Sequence, residues 1–442
     1  MFKNSKINTL KNMKRKNIMK ENVKKTKNKY ICASCAHILG EKNQTLPSQV
    51  LSEFNFLQED GKKCSICGQK ILSNQNTNKD ILLLESALKN SKIKVVGFTA
   101  PSVRVALGDE FGFKPGENVE GKMVSAIKKL GFFKIFDMNT AADFTVVEEA
   151  KEFEKRLEEN KDLPVFTSCC PGWVNYCKKI YPELTANLST VKSPQQIFGA
   201  LINSYFAKSE NLESTDMFVV SIVPCLAKKS ELLTPNINTS KGLDVDVAIT
   251  TTELATIIKN HNIDFANLED ENFDNFFGTA SGAGAIFGNT GGVTEAIVRS
   301  YGANLSHSGK MQLEYKMVRG LENIKEATIS IGNKNISVAV VIGLKNVPKI
   351  IQEIKDNPGK YQFVEIMACE GGCIGGAGQP KCNLENKFDV LTKRAQALYE
   401  SEIKKPVRVS IENPGLLKVY SSYLGEIGEA KAKQLLHRSY EK

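Results

Sequence analysis

Two cysteines in a glycine-rich stretch, Cys369 and Cys373, are well suited to bind a metal. They lie four residues apart within EIMACEGGCIGGAGQP (365–380), with Gly371 and Gly372 between them. Glycine lets the backbone approach a bulky ligand closely and adopt positive φ angles. Soft thiolates on such a loop favour an iron–sulfur cluster or zinc. Two thiolates are half of a tetrahedral ligand set, so the other ligands must come from elsewhere in the chain.

The chain of 442 residues has eleven cysteines, and they are clustered. It shows no apolar segment of the kind found in secretory signals, which favours a reducing, cytoplasmic compartment where cysteines bind metal or catalyse more often than they form disulfides. Besides Cys369 and Cys373, the cysteines are Cys32, Cys35, Cys64, Cys67, Cys169, Cys170, Cys177, Cys225 and Cys382. The pattern gives Cys177 and Cys382 no chemical role.

Two CxxC pairs 28 residues apart occupy residues 30–72. Their spacing predicts a four-thiolate metal site at Cys32, Cys35, Cys64 and Cys67. A module this small needs such a staple, because it cannot bury a sufficient core. The sequences KYICASC and KKCSICG resemble rubredoxin and zinc-ribbon knuckles. Zinc, which we favour, would make the module structural or a docking surface, and a single iron would make it an electron relay.

The net charge of +10 is concentrated at the N-terminus. Residues 1–30 hold eleven Lys and Arg against one acidic residue, which leaves 48 basic and 48 acidic residues in the rest of the chain. We interpret residues 1–29 as a basic disordered tail, with a nucleic-acid or organelle-targeting role for the tail as the less favoured alternative. The neutral body argues against nucleic-acid binding, and the absence of an apolar run of about 18 residues argues against a membrane span.

Apolar, β-branched runs alternate with helical patterns from about residue 78 onward. Helices are expected at Asp80–Ala87, at Glu148–Leu157 and after a strand predicted at Val245–Ile249. Thr251 or Thr252 is the expected N-cap of this third helix. Strands are predicted at Lys92–Phe98, Leu163–Thr167, Met217–Val223, Val245–Ile249, Ser337–Ile342 and Phe363–Ala368. This pattern predicts an α/β fold with largely parallel sheets flanked by helices.

Four of the cysteines follow closely on predicted strands. Cys169 and Cys170, Cys225, and Cys369 each lie within about three residues of a strand end. The carboxyl ends of parallel strands gather at one edge of a sheet, where ligands bind. Three distant strands would therefore bring thiolates together, and with Cys373 they make a four-cysteine ligand set in which Cys169 is the spare thiol.

Three loops of this chain resemble the signature loops of the [FeFe]-hydrogenases: TSCCPGW (167–173), VPCLAKKSE (223–231) and EIMACEGGCIGGAGQP. The resemblance extends from about residue 80 to the C-terminus, through TAPSVRVALGDEFG (99–112), SPQQIFGA (193–200), FGTASGAGAIFGNTGGVTEA (277–296) and the ENP…LLH ending. It implies two lobes that enclose a cofactor called the H-cluster. The implied domains are the H-cluster domain at 80–385 and a small-subunit-like segment at 386–442.

The resemblance implies how the cofactor is held. Cys170, Cys225, Cys369 and Cys373 would bind a [4Fe–4S] cubane. The last of these would also bridge to a di-iron subcluster that carries CO, CN and a bridging dithiolate. Cyanide accepts hydrogen bonds, so Lys228 and the hydroxyl of Ser102 suit it. The other residues implied to line the pocket are Pro101, Gln195, Val223, Phe287 and Met367.

The resemblance also implies a proton route for the reaction 2H⁺ + 2e⁻ ⇌ H₂. Cys169 resembles the family's first proton donor, and Glu149, Ser189, Glu152 and Arg156 stand where its outward path runs. The two glutamates and the arginine have i, i+3, i+7 spacing and share a helix face. A charged helix face alone indicates solvation, but together with the thiol and the serine it favours a relay. A buried carboxyl with a raised pKa can exchange protons near neutral pH.

Two positions depart from the family pattern. Val223 stands where the second loop has Met, and Ala377 replaces a Gly of the third loop. We expect an altered rate or catalytic bias, with the cluster retained. Residues 1–80 also lack the CxxCxxC spacing of bacterial [4Fe–4S] relays. Electrons are therefore expected from a ferredoxin-like partner, directly or through the small module, and maturation proteins are expected to build the di-iron unit.

Two other functions are compatible with the resemblance. One is a hydrogen or redox sensor, or a subunit of an electron-transfer complex. The other is an iron–sulfur assembly scaffold of the hydrogenase-like family that evolves no hydrogen. A scaffold would not be expected to retain Cys169, Lys228, Glu149 and Glu152 together, and this chain has all four.

Overall fold

The computed structural model describes residues 74–239, 242–305 and 312–440. The predicted basic tail (1–29) and four-cysteine module (30–72) lie outside these residues. Within them, eight strands form two sheets of four strands each. The strands are β1 (Lys94–Thr99), β2 (Lys134–Asp137), β3 (Val165–Phe166), β4 (Met217–Val223), β5 (Val247–Thr250), β6 (Ile324–Ile331), β7 (Lys334–Ile342) and β8 (Phe363–Met367).

The helices cover both sheets. They are α1 (Asn74–Lys89), α2 (Glu120–Lys129), α3 (Met138–Glu159), α4 (Pro171–Ile180), α5 (Pro194–Leu201), α6 (Ala207–Ser209), α7 (Ala227–Glu231), α8 (Thr251–Asn260), α9 (Gly282–Ile286), α10 (Gly292–Leu305), α11 (Val347–Asp356), α12 (Lys387–Ile403), α13 (Pro414–Val419) and α14 (Ala430–Leu436). A π-helical turn, Ile202–Phe206, connects α5 to α6.

The first sheet has the order β2-β1-β4-β5, and all of its strands are parallel. Its strands are buried almost throughout, which explains their continuous apolar sequences. Four aromatic rings pack together in the core of this lobe. The ring centroids of Phe98, Phe136 and Phe277 lie 5.3, 6.1 and 5.0 Å from that of Phe198 on α5.

The second sheet has the order β3-β8-β7-β6. The first three strands are parallel, and β6 pairs antiparallel with β7. These two strands are joined by the two-residue turn Gly332–Asn333, and Gly332 has a φ of 57°. Such a turn suits a hairpin because its backbone twist matches that of the strands. Separate apolar clusters cover the two faces of this sheet, one around Phe153 and Ile297 and the other around Trp173 and Ile350.

Helix α3 lies between the two lobes and is buried along most of its length. Ala141, Phe144 and Val147 pack in the core of the first lobe, whereas Val146 and Phe153 pack against the second sheet. The helix follows β2 directly, and the side chain of its N-cap Asp137 accepts from the N–H of Asn139 at 3.0 Å. This helix carries the residues predicted to form the proton relay.

The C-terminal segment is fastened to the core by buried polar contacts. Asp143 on α3 accepts from Ser410 Oγ and Asn413 Nδ2, both at 2.7 Å. Burial raises the pKa of Asp143 to about 6, and these hydrogen bonds oppose the rise. Arg299 on α10 donates to Glu402 on α12 at 3.0 Å, with both side chains fully buried.

The α/β architecture with largely parallel sheets is confirmed, and the described strands lie close to the predicted ones. One cap was wrong: Thr250 caps α8, in place of Thr251 or Thr252. The Thr250 hydroxyl accepts from the N–H of Glu253, and the Glu253 carboxylate accepts from the N–H of Thr250. In the described part of the chain, no helix is both long and apolar enough to cross a membrane.

Candidate active site

Strands of both sheets end at one cavity. Cys170 follows β3 and Cys369 follows β8, which are neighbours in the second sheet, whereas Cys225 follows β4 in the first sheet. The expectation that these cysteines share the edge of a single sheet is therefore wrong. The cavity lies between two sheets, and all four predicted ligands, including Cys373, line it together with Cys169.

The cavity has an almost entirely apolar lining. Such a lining excludes water and strengthens the electrostatic effect of the few polar groups within it. Helix α3 adds Met138 and Ala142 to the wall, which the sequence did not lead us to expect. The pocket residues expected from the resemblance all line the cavity: Pro101, Ser102, Gln195, Val223, Lys228, Phe287 and Met367.

Burial raises the pKa of all the thiols at this site for which a shift is resolved. It raises the pKa of Cys225 to about 11, with Lys228 opposing the rise. Burial also places the pKa values of Cys369 and Cys373 far above their ordinary range, and the charges of neighbouring thiolates add to this. The thiols can ionise together only around positive charge, which a bound metal cluster would supply.

The four cysteines form a ligand set of the kind that iron–sulfur clusters use. They line the same cavity and influence one another's charge. Four cysteine thiolates are the usual ligands of a [4Fe–4S] cluster, so this set fits one.

Backbone N–H groups point at several of the sulfur atoms. The N–H of Ala368 donates to Cys170 Sγ at 3.4 Å. N–H groups at the start of α7 approach Cys225, and that of Ala377 approaches Cys369. Such hydrogen bonds favour the thiolate form and tune the potential of a bound cluster.

The glycines of the third loop are required by its backbone. Gly371 and Gly372 have φ angles of 80° and 74°, which residues other than glycine rarely adopt. A Cβ atom at Gly376 would lie only 2.3 Å from the carbonyl oxygen of Pro224 in the second loop. Glycine at this position therefore lets two of the cysteine-bearing loops pack against each other.

Lys228 is fixed at the cavity wall by an ion pair. Its Nζ lies 2.8 Å from Glu231 Oε2 and donates to the carbonyl oxygen of Cys169 at 3.0 Å. Ser193 Oγ and Gln195 Nε2 donate to the same Glu231 oxygen at 3.0 and 3.1 Å. Burial lowers the pKa of Lys228, but Glu231 and the nearby thiolates outweigh burial and raise it overall. The ammonium is therefore a permanent charge beside the cavity.

Ser102 offers an unused hydroxyl on the cavity wall. Its side chain is fully buried, and among the described residues its Oγ has no hydrogen-bond partner. A buried hydroxyl without a partner is costly, so its position on the cavity wall suits a polar group of a bound ligand.

Cys169 and Glu149 lie deepest in the predicted relay. Burial raises the pKa of the Cys169 thiol well above its ordinary value, and the charge of Glu149 adds to this. Burial raises the pKa of Glu149 to about 8, and Glu152 contributes in the same direction. Oε1 of Glu149 has no hydrogen-bond partner in the part of the chain that the structure describes. Both groups can therefore hold a proton near neutral pH.

The outer part of the predicted relay centres on Glu152. Its Oε2 accepts from Ser189 Oγ at 3.0 Å, and its Oε1 pairs with Arg156 Nη2 at 2.6 Å. The side chains of Glu152 and Arg156 are each 12% exposed, whereas Glu149 is buried. The predicted residues thus run from the cavity wall to the protein surface.

Three residues around Glu152 were missed by the sequence reasoning: Thr190, His437 and Glu148. Thr190 donates its N–H to Glu152 at 3.0 Å, and its hydroxyl lies 2.8 Å from His437 Nδ1. His437 Nε2 lies 2.8 Å from Glu148. The LLH ending was noted only as part of the resemblance, because the sequence alone does not bring residue 437 beside residue 148.

Comparison with known protein families agrees with this fold. A family model described as the C-terminal domain of the iron-only hydrogenase large subunit matches residues 93–377. A second model, described as the iron hydrogenase small subunit, matches residues 388–442. The chain belongs to the iron-only hydrogenase family.

Individual relatives agree with the family. Iron hydrogenase 1 of Clostridium pasteurianum is 44% identical over 361 residues, which is 81% of this chain and 63% of that protein. This chain therefore spans less than two thirds of that relative's length. The solved structure of a variant of the [FeFe]-hydrogenase HydA1 from Chlamydomonas reinhardtii has a TM-score of 0.72 at 34% identity, covering 82% of this chain and 98% of that one.

A different kind of relative aligns over a similar length. The cytosolic Fe–S cluster assembly factor narfl of Danio rerio is 28% identical over 392 residues, which is 85% of this chain and 94% of that protein. The chain is therefore similar to both hydrogenases and an assembly factor.

Proposed function

We propose that this protein is an [FeFe]-hydrogenase that catalyses the reversible reaction 2H⁺ + 2e⁻ ⇌ H₂. The observation that carries the proposal is the series of acid–base groups leading away from the thiolate-lined cavity: Cys169, Glu149, Ser189, Glu152 and Arg156. A purely structural cluster site has no need of a buried carboxyl poised near neutral pH.

The residues present fit the H-cluster. Cys170, Cys225, Cys369 and Cys373 would hold the [4Fe–4S] cubane, and the last would bridge to the di-iron subcluster. When bound, this cofactor supplies the redox-active iron at which hydrogen is formed or split. Ser102 and Lys228 offer hydrogen-bond donors for its cyanide ligands. The remaining wall residues would hold the subcluster and exclude water: Pro101, Gln195, Val223, Phe287 and Met367.

The chain's own residues would move the protons. Cys169 holds a proton at the cavity, because burial and Glu149 disfavour its thiolate. Glu149, with its pKa raised to about 8, exchanges that proton near neutral pH. Ser189 lies between the two glutamates, since it donates to Glu152 and lowers the pKa of Glu149. Arg156 neutralises the charge on Glu152 near the surface.

Electrons would reach the cubane from a ferredoxin-like partner, in the reducing cytoplasm, after maturation proteins have installed the di-iron unit. The four-cysteine module formed by Cys32, Cys35, Cys64 and Cys67 would hold one zinc or iron. With zinc it would act as a docking or structural element, and with iron as an electron relay.

The second candidate function is an iron–sulfur assembly scaffold, which the resemblance to the assembly factor favours. The buried relay weighs against it, because a scaffold has no need to move protons to a cavity. A sensor, or a subunit of an electron-transfer complex, would use the same cluster at low turnover.

Hydrogen evolution from reduced methyl viologen tests the proposal, using protein produced anaerobically with the maturation proteins. We expect turnover far above that of a Cys373→Ala control. Absence of turnover in protein with its full iron content would favour the scaffold or the sensor.

A further inference from the structure

A second buried carboxylate lies beside the relay. Glu148 precedes Glu149 on α3 and is fully buried, but its partners come from the C-terminal segment. Its Oε1 accepts from Tyr420 OH at 2.5 Å, and its Oε2 accepts from the N–H of Gly428 at 3.1 Å. His437 Nε2 lies 2.8 Å from the same Oε2. Because a carboxylate can only accept, Nε2 carries a proton and donates it to Glu148.

The other ring nitrogen of His437 leads back to the relay. Nδ1 lies 2.8 Å from Thr190 Oγ1, and that oxygen lies 3.2 Å from Glu152 Oε1. The chain of contacts Glu148–His437–Thr190–Glu152 therefore joins the second carboxylate to the outer carboxylate of the relay. The side chain of His437 is 10% exposed, so the ring can exchange protons with solvent.

The hydroxyl of Thr190 has one proton and two possible acceptors. When His437 is neutral, Nδ1 accepts that proton, and Glu152 loses a hydrogen-bond donor. When His437 is an imidazolium, Nδ1–H donates to Thr190, and the hydroxyl proton is free to donate to Glu152. The protonation state of the ring thus decides the direction of the hydrogen bond at Glu152.

We propose that His437 is a positioning residue that stores a proton for the relay and exchanges it with Glu152 through Thr190. In this exchange the proton of a neutral Glu152 passes to Thr190 Oγ1 while the hydroxyl's own proton passes to Nδ1. The products are the Glu152 carboxylate, an intact hydroxyl and the His437 imidazolium, so protons and charge balance. The imidazolium and the Glu152 carboxylate then stabilise each other through the hydroxyl.

Other charged or titratable groups surround this chain of contacts and act on it. Arg156 pairs with Glu152, and Tyr420 donates to Glu148. From the segment that follows α14, Tyr440 donates to the carbonyl of Ser189 at 2.9 Å, and the Arg438 guanidinium lies 4.5 Å from the Tyr440 ring. Each of these groups remains unchanged in the variants proposed below. A difference between the variants therefore reports on the Thr190 link.

The inference rests on the proposed function, but its first test needs no turnover. The chain has four histidines, His37, His261, His307 and His437, and the Cε1–H signal of His437 is identified by its loss in His437→Gln. In the full-length protein we expect Glu152→Gln to lower the midpoint of the His437 titration by at least half a pH unit. His261, which pairs with Glu85 at 2.8 Å, serves as the internal control.

The hydroxyl link is tested by a double-mutant cycle. In a Thr190→Val background the effect of Glu152→Gln on His437 should fall by at least half, whereas Thr190→Ser should preserve it. The proposal would be overturned if Glu152→Gln had no effect on the His437 titration. It would also be overturned if the effect were equal in the wild-type and Thr190→Val backgrounds.

Activity supplies the second test. Without His437, Glu152 loses the donor that favours its carboxylate at low pH and keeps its proton to higher pH. We therefore expect His437→Gln to move the pH–rate profile of hydrogen evolution upward by at least half a pH unit. An unshifted profile in an active variant contradicts the inference alone, whereas an inactive wild type contradicts the proposed function and leaves the titration to decide the inference.

Discussion

Lys228 Nζ donates to the carbonyl oxygen of Cys169 at 3.0 Å, so the second cysteine-bearing loop holds the first. The same ammonium pairs with Glu231 at 2.8 Å, and the side chain of Glu231 is only 2% exposed. One lysine therefore performs two tasks: it positions the loop that carries the spare thiol and the adjacent ligand, and it neutralises a buried carboxylate.

We expect Lys228→Met to destabilise the protein by about 3 kcal/mol, because it leaves the buried Glu231 charge unpaired. The free energy of unfolding of anaerobically purified protein measures this. Lys228→Met combined with Glu231→Gln should recover at least half of the loss. Lys355→Met, which removes an exposed ion pair with Glu183, is the matched control and should cost less than about 1 kcal/mol. An equal loss in this control would contradict the explanation.

Cys169→Ala should lower hydrogen evolution by at least about 100-fold, because it removes the proton-holding group at the cavity wall. Iron content should be unchanged, since Cys169 is not one of the four proposed ligands and all of these remain. Cys177→Ala is the control, as that thiol is also buried but lies in the core around Trp173. Retained turnover in Cys169→Ala, or iron loss that matches the loss of activity, would remove Cys169 from the relay.

Features that depend on local sequence were predictable from the chain. Cysteine is a strong metal ligand, so the candidate ligands could be recognised by residue type. The apolar strands that precede the predicted ligand cysteines have recognisable ends, so their places in the fold could be predicted as well. Two signals of the same local kind were missed. The segment IKEATISI (324–331) alternates before Gly332–Asn333 and predicts the β6–β7 hairpin, while Thr250 and Glu253 match the spacing of a capping box.

Other features depend on tertiary structure and could not be predicted in this way. The first ten residues of α3, MNTAADFTVV, are all buried because both lobes cover them, and they have no exposed charged face. Helical periodicity detects an exposed face, so only the charged part from Glu148 onward was predicted. The contact between Glu148 and His437 joins residues 289 positions apart. Nothing in the local sequence of either residue indicates the other.

Deleting residues 1–72 should leave hydrogen evolution from reduced methyl viologen within about twofold of the full-length rate. Residues that match the iron-only hydrogenase models begin at position 93, and the cavity is lined entirely by residues from 100 onward. The artificial donor makes an electron-relay module unnecessary. Cys32→Ser combined with Cys64→Ser is the matched full-length control, and a loss of activity in both proteins would make the module part of the electron path.

The difference in stability between Glu149→Gln and the wild type should grow in favour of the variant as the pH rises. Burial raises the pKa of Glu149 from 4.5 to about 8. Below pH 4.5 the carboxyl is protonated in both the folded and unfolded states, so it adds no pH-dependent cost. Between pH 4.5 and 8 only the unfolded state releases the proton, so the wild type loses stability by up to roughly 1.4 kcal/mol per pH unit. The glutamine variant has no proton to release.

Denaturant unfolding of both proteins at pH 5, 6, 7 and 8 measures this difference. The stability of Glu149→Gln minus that of the wild type should grow steadily across the series and level off above about pH 8. Glu159→Gln, at the exposed end of the same helix, is the matched control for charge removal. If the difference between Glu149→Gln and the wild type is the same at every pH, Glu149 does not hold a proton in the folded protein at neutral pH, and a different group must pass protons between Cys169 and Glu152.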